Sequence, residues 1–187
     1  MSIVASDSTG RKLSHVEFVY PPGERDLVLN LFDLLKFEAR DASGGRVILG
    51  IIDPPTSDST HNFIAGSEVR PEQWAFDQAL AAAVRHGPLG AAFDDFQDLL
   101  DRIPQAGMHF AICYPTIAAW EEAFAPFAEI ERHAPRLVGR VRLSRVFRPG
   151  EPGASAAYQT FLWTDVIASG SLALGQRIEL TTFVRLA

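Results

Sequence analysis

His15 opens a short apolar run, His15-Val-Glu-Phe-Val-Tyr20; His109 opens a second, His109-Phe-Ala-Ile-Cys-Tyr114; and Glu179 sits inside a third, Arg177-Ile-Glu-Leu-Thr-Thr-Phe183. In an extended strand alternate side chains share a face. His15, Glu17 and Val19 therefore point one way, His109, Ala111 and Cys113 share a face, and so do Glu179, Thr181 and Phe183. Each strand can offer one ligand-type side chain to a common concave face. Two imidazoles and one carboxylate make a three-point site with open positions, a donor set suited to Fe(II), Mn(II), Zn(II), Ni(II) or Co(II). An open position lets such an ion polarise a substrate oxygen or activate water or dioxygen. Glu17 is then a candidate base beside the ion, and Cys113, Thr181 and Phe183 are candidate substrate contacts. Taken singly, each has a blander reading. A lone strand-start histidine is more often a hydrogen-bonded structural residue, Glu179 is open to pairing with Arg177, and Cys113 has no identifiable activating base.

These residues need strands to hold them, and the punctuation of the chain supplies strands. The His15–Tyr20 run is stopped by Pro21-Pro22-Gly23. Leu27, Val28, Leu31, Leu34 and Leu35 then recur at helical spacing, with Glu24 and Asp26 placed early, where they complement the helix dipole. Strands follow at 37–42, 46–52 and 62–69, divided by Ser43-Gly44-Gly45 and by Asp53-Pro54-Pro55. From Pro71 to Ile103 the spacing predicts two helices with a stop at His86-Gly87-Pro88. After Pro104 the first theme returns: a strand at 107–114, a helix at 117–133 containing Pro126, and strands at 137–147, 158–167 and 177–184. Trp74, Phe93, Phe96, Trp120, Phe124 and Phe127 fall at core positions of the helices, whereas His61, His86 and His133 fall on the surface.

The order β, α, β, β, β thus occurs twice. The openings also match in detail: Ser14-His-Val-Glu-Phe-Val-Tyr-Pro21 against Met108-His-Phe-Ala-Ile-Cys-Tyr-Pro115. Four segments result: a leader at 1–12 expected to be disordered, a first module at 13–70, a helical insert at 71–104 and a second module at 105–187.

With its two His strands and its closing Arg177–Phe183 run, the chain resembles the vicinal oxygen chelate superfamily, which includes glyoxalases, bleomycin-resistance proteins and extradiol dioxygenases. The resemblance covers about residues 13 to 185 and rests on short motifs in the right order. It implies an α+β fold of two βαβββ modules forming an open β-cup, and a single divalent metal held by His15, His109 and Glu179. It also implies an enzyme acting on a small molecule that chelates the metal through neighbouring oxygens, by dioxygenase-, isomerase- or lyase-type chemistry. The alternative within the same superfamily is a non-catalytic small-molecule binder of the bleomycin-resistance type. One departure stands out: the fuller glyoxalase pattern places a second Glu on the last strand of the first module, where only Glu68 is near. A one-residue change of register turns Glu68 to the other face.

Composition narrows the remaining classes. The 187 residues are 47% hydrophobic and 21% charged, the balance of a globular chain able to bury a core. A formal charge of −6 argues against nucleic acid as a partner. The arginines at 136, 140, 142, 145 and 148 read as a solvated strand face. The single cysteine, Cys113, cannot form an internal disulfide, which fits a reducing compartment. There is no apolar run long enough to span a membrane and no signal-peptide pattern at the start. The expectation is a cytoplasmic protein with a small-molecule partner, possible as a homodimer.

Overall fold

A computed structural model describes residues 13–56 and 61–183. The expectation of a disordered leader at 1–12 lies outside the described residues. The chain is α+β, with two four-stranded sheets and five α-helices among the described residues. The first half runs β1 (His15–Tyr20), α1 (Arg25–Leu34), β2 (Glu38–Ala42), β3 (Val47–Ile51) and β4 (Phe63–Glu68). Next come α2 (Pro71–His86) and α3 (Gly90–Arg102). The second half runs β5 (His109–Cys113), α4 (Ile117–Ala128), α5 (Ile130–His133), β6 (Val141–Phe147), β7 (Ala157–Thr164) and β8 (Gln176–Phe183). The sheets have the orders β1-β4-β3-β2 and β5-β8-β7-β6. In each, the first strand lies parallel to the last and the remaining pairs are antiparallel. The two halves therefore repeat one topology, and each crossover helix lets its sheet bring the first and last strands side by side.

Local chemistry accounts for the ends of these elements. Lys36, with φ of 62°, ends α1, and the β2–β3 turn needs three successive left-handed residues, Ser43, Gly44 and Gly45. Thr116 caps α4 by accepting from the backbone N–H of Ala119 at 3.1 Å. The single helix expected over 117–133 is divided instead. Pro126 sits in the last turn of α4 and Glu129, at φ −122°, breaks the run before α5. The strand expected from Leu137 begins only at Val141, because Pro135–Leu137 form a 3-10 turn and Gly139 takes a φ of 76°.

Parity along the strands separates two faces. On one, Phe18, Tyr20, Ile48 and Ile64 from the first sheet and Ile112, Leu162, Ile178 and Leu180 from the second pack beneath the helices. They form one apolar cluster with Val28, Leu31 and Phe32 of α1 and Trp120 and Phe127 of α4, so the halves share a core. Trp120 is fully buried and donates its indole N–H to the Leu180 carbonyl at 3.0 Å. Phe96, expected in the core, is 44% exposed, because α3 buries Leu100 instead. The halves also meet outside the core. Val19 and Ala168 exchange two backbone hydrogen bonds of 2.9 and 3.0 Å, and Arg140 reaches both Glu24 and Asp165. The arginine-rich β6 region is consequently ion-paired rather than merely solvated, with Arg142 on Asp101 and Arg136 near Asp26 as further pairs. Among the described residues no helix is long and apolar enough to cross a membrane.

Candidate functional site

Strand register decides which polar groups meet on the faces away from the shared core. In the second sheet His109 lies opposite Arg177, and Ala111 opposite Glu179. His109 and Glu179 are thus diagonal neighbours on parallel strands, pointing the same way. His109 Nε2 stands 3.0 Å from Glu179 Oε2. The other ring nitrogen, Nδ1, is 2.9 Å from the carbonyl of Gly107. A carbonyl only accepts, so Nδ1 must carry a proton there. A neutral imidazole then turns a bare Nε2 lone pair toward a carboxylate oxygen. Two lone pairs at 3.0 Å require something positive between them: a proton shared by the pair, or a cation.

The rest of the environment holds this pair in place. Glu179 is 6% exposed, and its Oε1 accepts from Gln159 Nε2 at 2.8 Å. Gln159 is itself oriented by Ser155, whose hydroxyl donates to Oε1 at 2.9 Å. The edge of the imidazole meets the Phe161 ring, with centroids 5.5 Å apart. A ligand histidine tied to a backbone carbonyl and a ligand carboxylate held by an amide is the outer arrangement that metal centres use.

Arg177, one ladder step from His109, adds a fixed positive charge that sequence reasoning missed. It is 4% exposed and does not pair with Glu179; its Nη2 lies 3.3 Å from Asp101 Oδ1 and 3.4 Å from Gln97 Oε1, both on α3. Its Nε has no partner among the described residues. Burial pulls the guanidinium's pKa down, and the Asp101 charge opposes that pull. The alternation around Glu179 could have flagged Arg177 as facing the same way, but only α3 packing reveals its partners.

The first sheet carries a second histidine–carboxylate contact, built differently. His15 Nε2 is 3.4 Å from Glu17 Oε1, on the same strand, and the imidazole stacks on Phe63 at 5.0 Å. Opposite Glu17 lies Ala65, the position that corresponds to Glu179 in the second half. The carboxylate has therefore moved from the last strand to the first. Glu68 is opposite Tyr20, on the other face, and accepts from the Gly23 backbone N–H at 2.8 Å. It contributes nothing to this face.

The structure thus brings His109 and Glu179 together, and His15 and Glu17 together. Among the described residues no three His, Cys, Asp or Glu side chains gather in a group able to hold a metal ion. A cation fits the His109–Glu179 pair in donor type and in outer hydrogen bonds, with two protein donors rather than the expected three. Of the other expected contacts, Thr181 is buried and its hydroxyl donates to the Tyr158 carbonyl at 3.0 Å. Phe183 is 66% exposed. Cys113 is exposed and lines a cavity of about 570 Å³ with Tyr114, whose phenol burial pushes up to about 12. No protein-family model matches this chain, and no curated protein matches it.

Proposed function

We propose that the chain is a small-molecule enzyme of the vicinal oxygen chelate type, in which the two sheets form an open cup and the His109–Glu179 pair is the chemical centre. The observation that carries this reading is the proton count at the pair: with Nδ1 committed to Gly107, the space between Nε2 and Oε2 needs a cation or a movable proton. In that role His109 Nε2 and Glu179 Oε2 would be the donors for one divalent ion, while His15, the third donor that the sequence order suggests, stands beside Glu17 on the first sheet. When bound, the ion would act as a Lewis acid on two neighbouring oxygens of the substrate. The chain's own groups do the rest. Gln159 fixes the carboxylate, Phe161 sets the ring plane, and Arg177 supplies a permanent positive charge that favours an anionic substrate nearby. Helices α2 and α3 act as an insert that covers part of the cup, and the site works in a reducing, cytoplasmic setting.

A second reading is favoured by two observations: among the described residues only two donors stand together, and a buried guanidinium lies beside them. Both weaken cation affinity. In this reading the cup binds a small anionic molecule without metal, and Glu179 and His109 share a proton. Elemental analysis separates the two. Chain purified without chelator should carry close to one divalent ion per molecule, and His109→Ala and Glu179→Gln should each lose it. A metal-free chain whose small-molecule binding survives His109→Ala would sink the enzyme reading.

A further inference from the structure

A cavity of about 420 Å³ opens where the end of β1, the helix α2 and the 168–171 segment meet. Its lining includes two carboxylates, Glu17 and Asp77, and no positively charged side chain among the described residues. Asp77, on α2, is 1% exposed. Its Oδ1 accepts a hydrogen bond from the Ser171 hydroxyl, whereas its Oδ2 has no partner among the described residues. A buried carboxylate oxygen left bare is costly; no described side chain donates to it, and a ligand donor would relieve that cost.

The hydrogen-bond accounting around it narrows the class of that donor. Ser171 spends its one proton on Asp77, and Ser169 spends its own on Gln176 Oε1 at 2.7 Å. A hydroxyl has one donor and two lone pairs, so both serines offer only acceptors to the cavity. Gln73 and Ser67 also line the cavity and bring donors, but neither carries a charge, so the net character of the described lining is anionic. An alcohol or amide ligand could pair with Gln73 and Ser67 but would leave the two carboxylate charges unbalanced. An alkylammonium brings three donors and no acceptor. Phe76, at the rim and 63% exposed, presents a ring face for the cation or its alkyl stem. The space is far larger than a bare metal ion needs, and no three metal-ligating side chains gather among the described residues. Asp77 also borders a smaller cavity of about 120 Å³ lined by Arg85 and Arg140; Arg140 is held by Glu24 and Asp165, and Arg85 makes no hydrogen bond to Asp77 Oδ2.

We propose that this cavity is a binding site for a small organic ammonium, with Asp77 as its charge partner and Glu17 as a second anionic contact. None of the His109–Glu179 centre lines it, so the site stands whether or not that centre holds a metal. Glu17, expected from the sequence to be a base beside the ion, is assigned to this cavity.

The test is calorimetry on the full chain with chelator present. The probes are n-butylammonium, 1,4-diaminobutane, 1-butanol and butyrate. Both ammonium probes should bind saturably, with 1-butanol weaker by about tenfold or more and butyrate silent. Asp77→Asn keeps an oxygen for Ser171 and should weaken ammonium binding by about tenfold or more. Glu17→Gln, at an exposed position, should reduce the advantage of the diammonium over the monoammonium, and His109→Ala should change nothing. Equal binding of 1-butanol, no saturable ammonium binding up to about 10 mM, or unchanged affinity in a folded Asp77→Asn protein would overturn the assignment. Should Asp77→Asn fail to fold, the ammonium-to-alcohol ratio of the unaltered chain and the Glu17→Gln result decide it.

Discussion

Gln159 has no charge, yet it decides how Glu179 is presented. Its amide donates to Glu179 Oε1 while its own carbonyl oxygen accepts from Ser155. Gln159→Ala strips a buried carboxylate oxygen of its donor and should cost about 1–3 kcal/mol in urea unfolding. In a metal-loaded chain the same change should lower metal affinity by about tenfold or more, read by competition with a chromophoric chelator. A stability loss with unaltered metal affinity would leave Gln159 a purely structural residue. Gly66 makes a different single-residue point. A Cβ there would lie 2.1 Å from the Phe18 ring, so the ring seats on the bare backbone of β4. Gly66→Ala should destabilise by about 1–3 kcal/mol through overpacking, and a thermal melt would show it.

At the scale of elements, α3 is clamped onto the second sheet by one carboxylate. Asp101 accepts from Arg142 at 2.8 and 2.9 Å and from Ser144 at 3.2 Å, and it faces Arg177. Burial works against its charge, but the hydrogen bonds and the two guanidinium charges outweigh burial and hold its carboxyl below the ordinary 3.8. A folded-state pKa below the unfolded one adds stability above the unfolded value, and that stability is lost as pH falls through the folded one. Asp101→Asn should therefore cost most at neutral pH and progressively less below 3.8. Asp101 is 39% exposed, so screening limits the neutral-pH cost to about 1 kcal/mol. Unfolding curves across an acid series check the sign; a cost that grows toward acid would contradict it.

The same helix shows where the sequence was readable and where it was not. Its existence follows from the 93-96-100-103 spacing, and the β, α, β, β, β order of each half follows from apolar runs cut by Pro and Gly. The shared direction of His109 and Glu179 follows from parity within strands. Parity says nothing about register between strands, and register placed Glu68 on the other face and Ala65 opposite Glu17. Nor does spacing along a helix name the surface it will meet. Asp77 lies among alanines in α2 and reads as a polar position, but the 168–171 segment buries it. Arg177 reads as the partner of Glu179 until α3 supplies Asp101. Partnerships that depend on elements distant in sequence were the ones left unread.

For the whole molecule, the question is whether two copies of one topology behave as one body. The apolar cluster draws on both sheets and on α1 and α4, so neither half has a separate core on that side. Arg140 adds a polar tie: its guanidinium donates to Glu24 at the start of α1 and to Asp165 beyond β7, and those hydrogen bonds, led by the one to Glu24, raise its pKa. All three side chains are about one-third exposed or less. Arg140→Met removes the shared cation and leaves two carboxylates facing each other across the halves, at a cost of about 1–3 kcal/mol. It leaves the common apolar cluster intact, so the transition should move to lower urea while staying single. Trp74, Trp120 and Trp163 all lie in α2 or the second half, so tryptophan fluorescence reports those regions while far-ultraviolet circular dichroism reports both halves. Coincident curves from the two probes in Arg140→Met are the expected outcome. A fluorescence transition separated from the dichroism transition would mean that the polar tie, rather than the shared core, couples the halves.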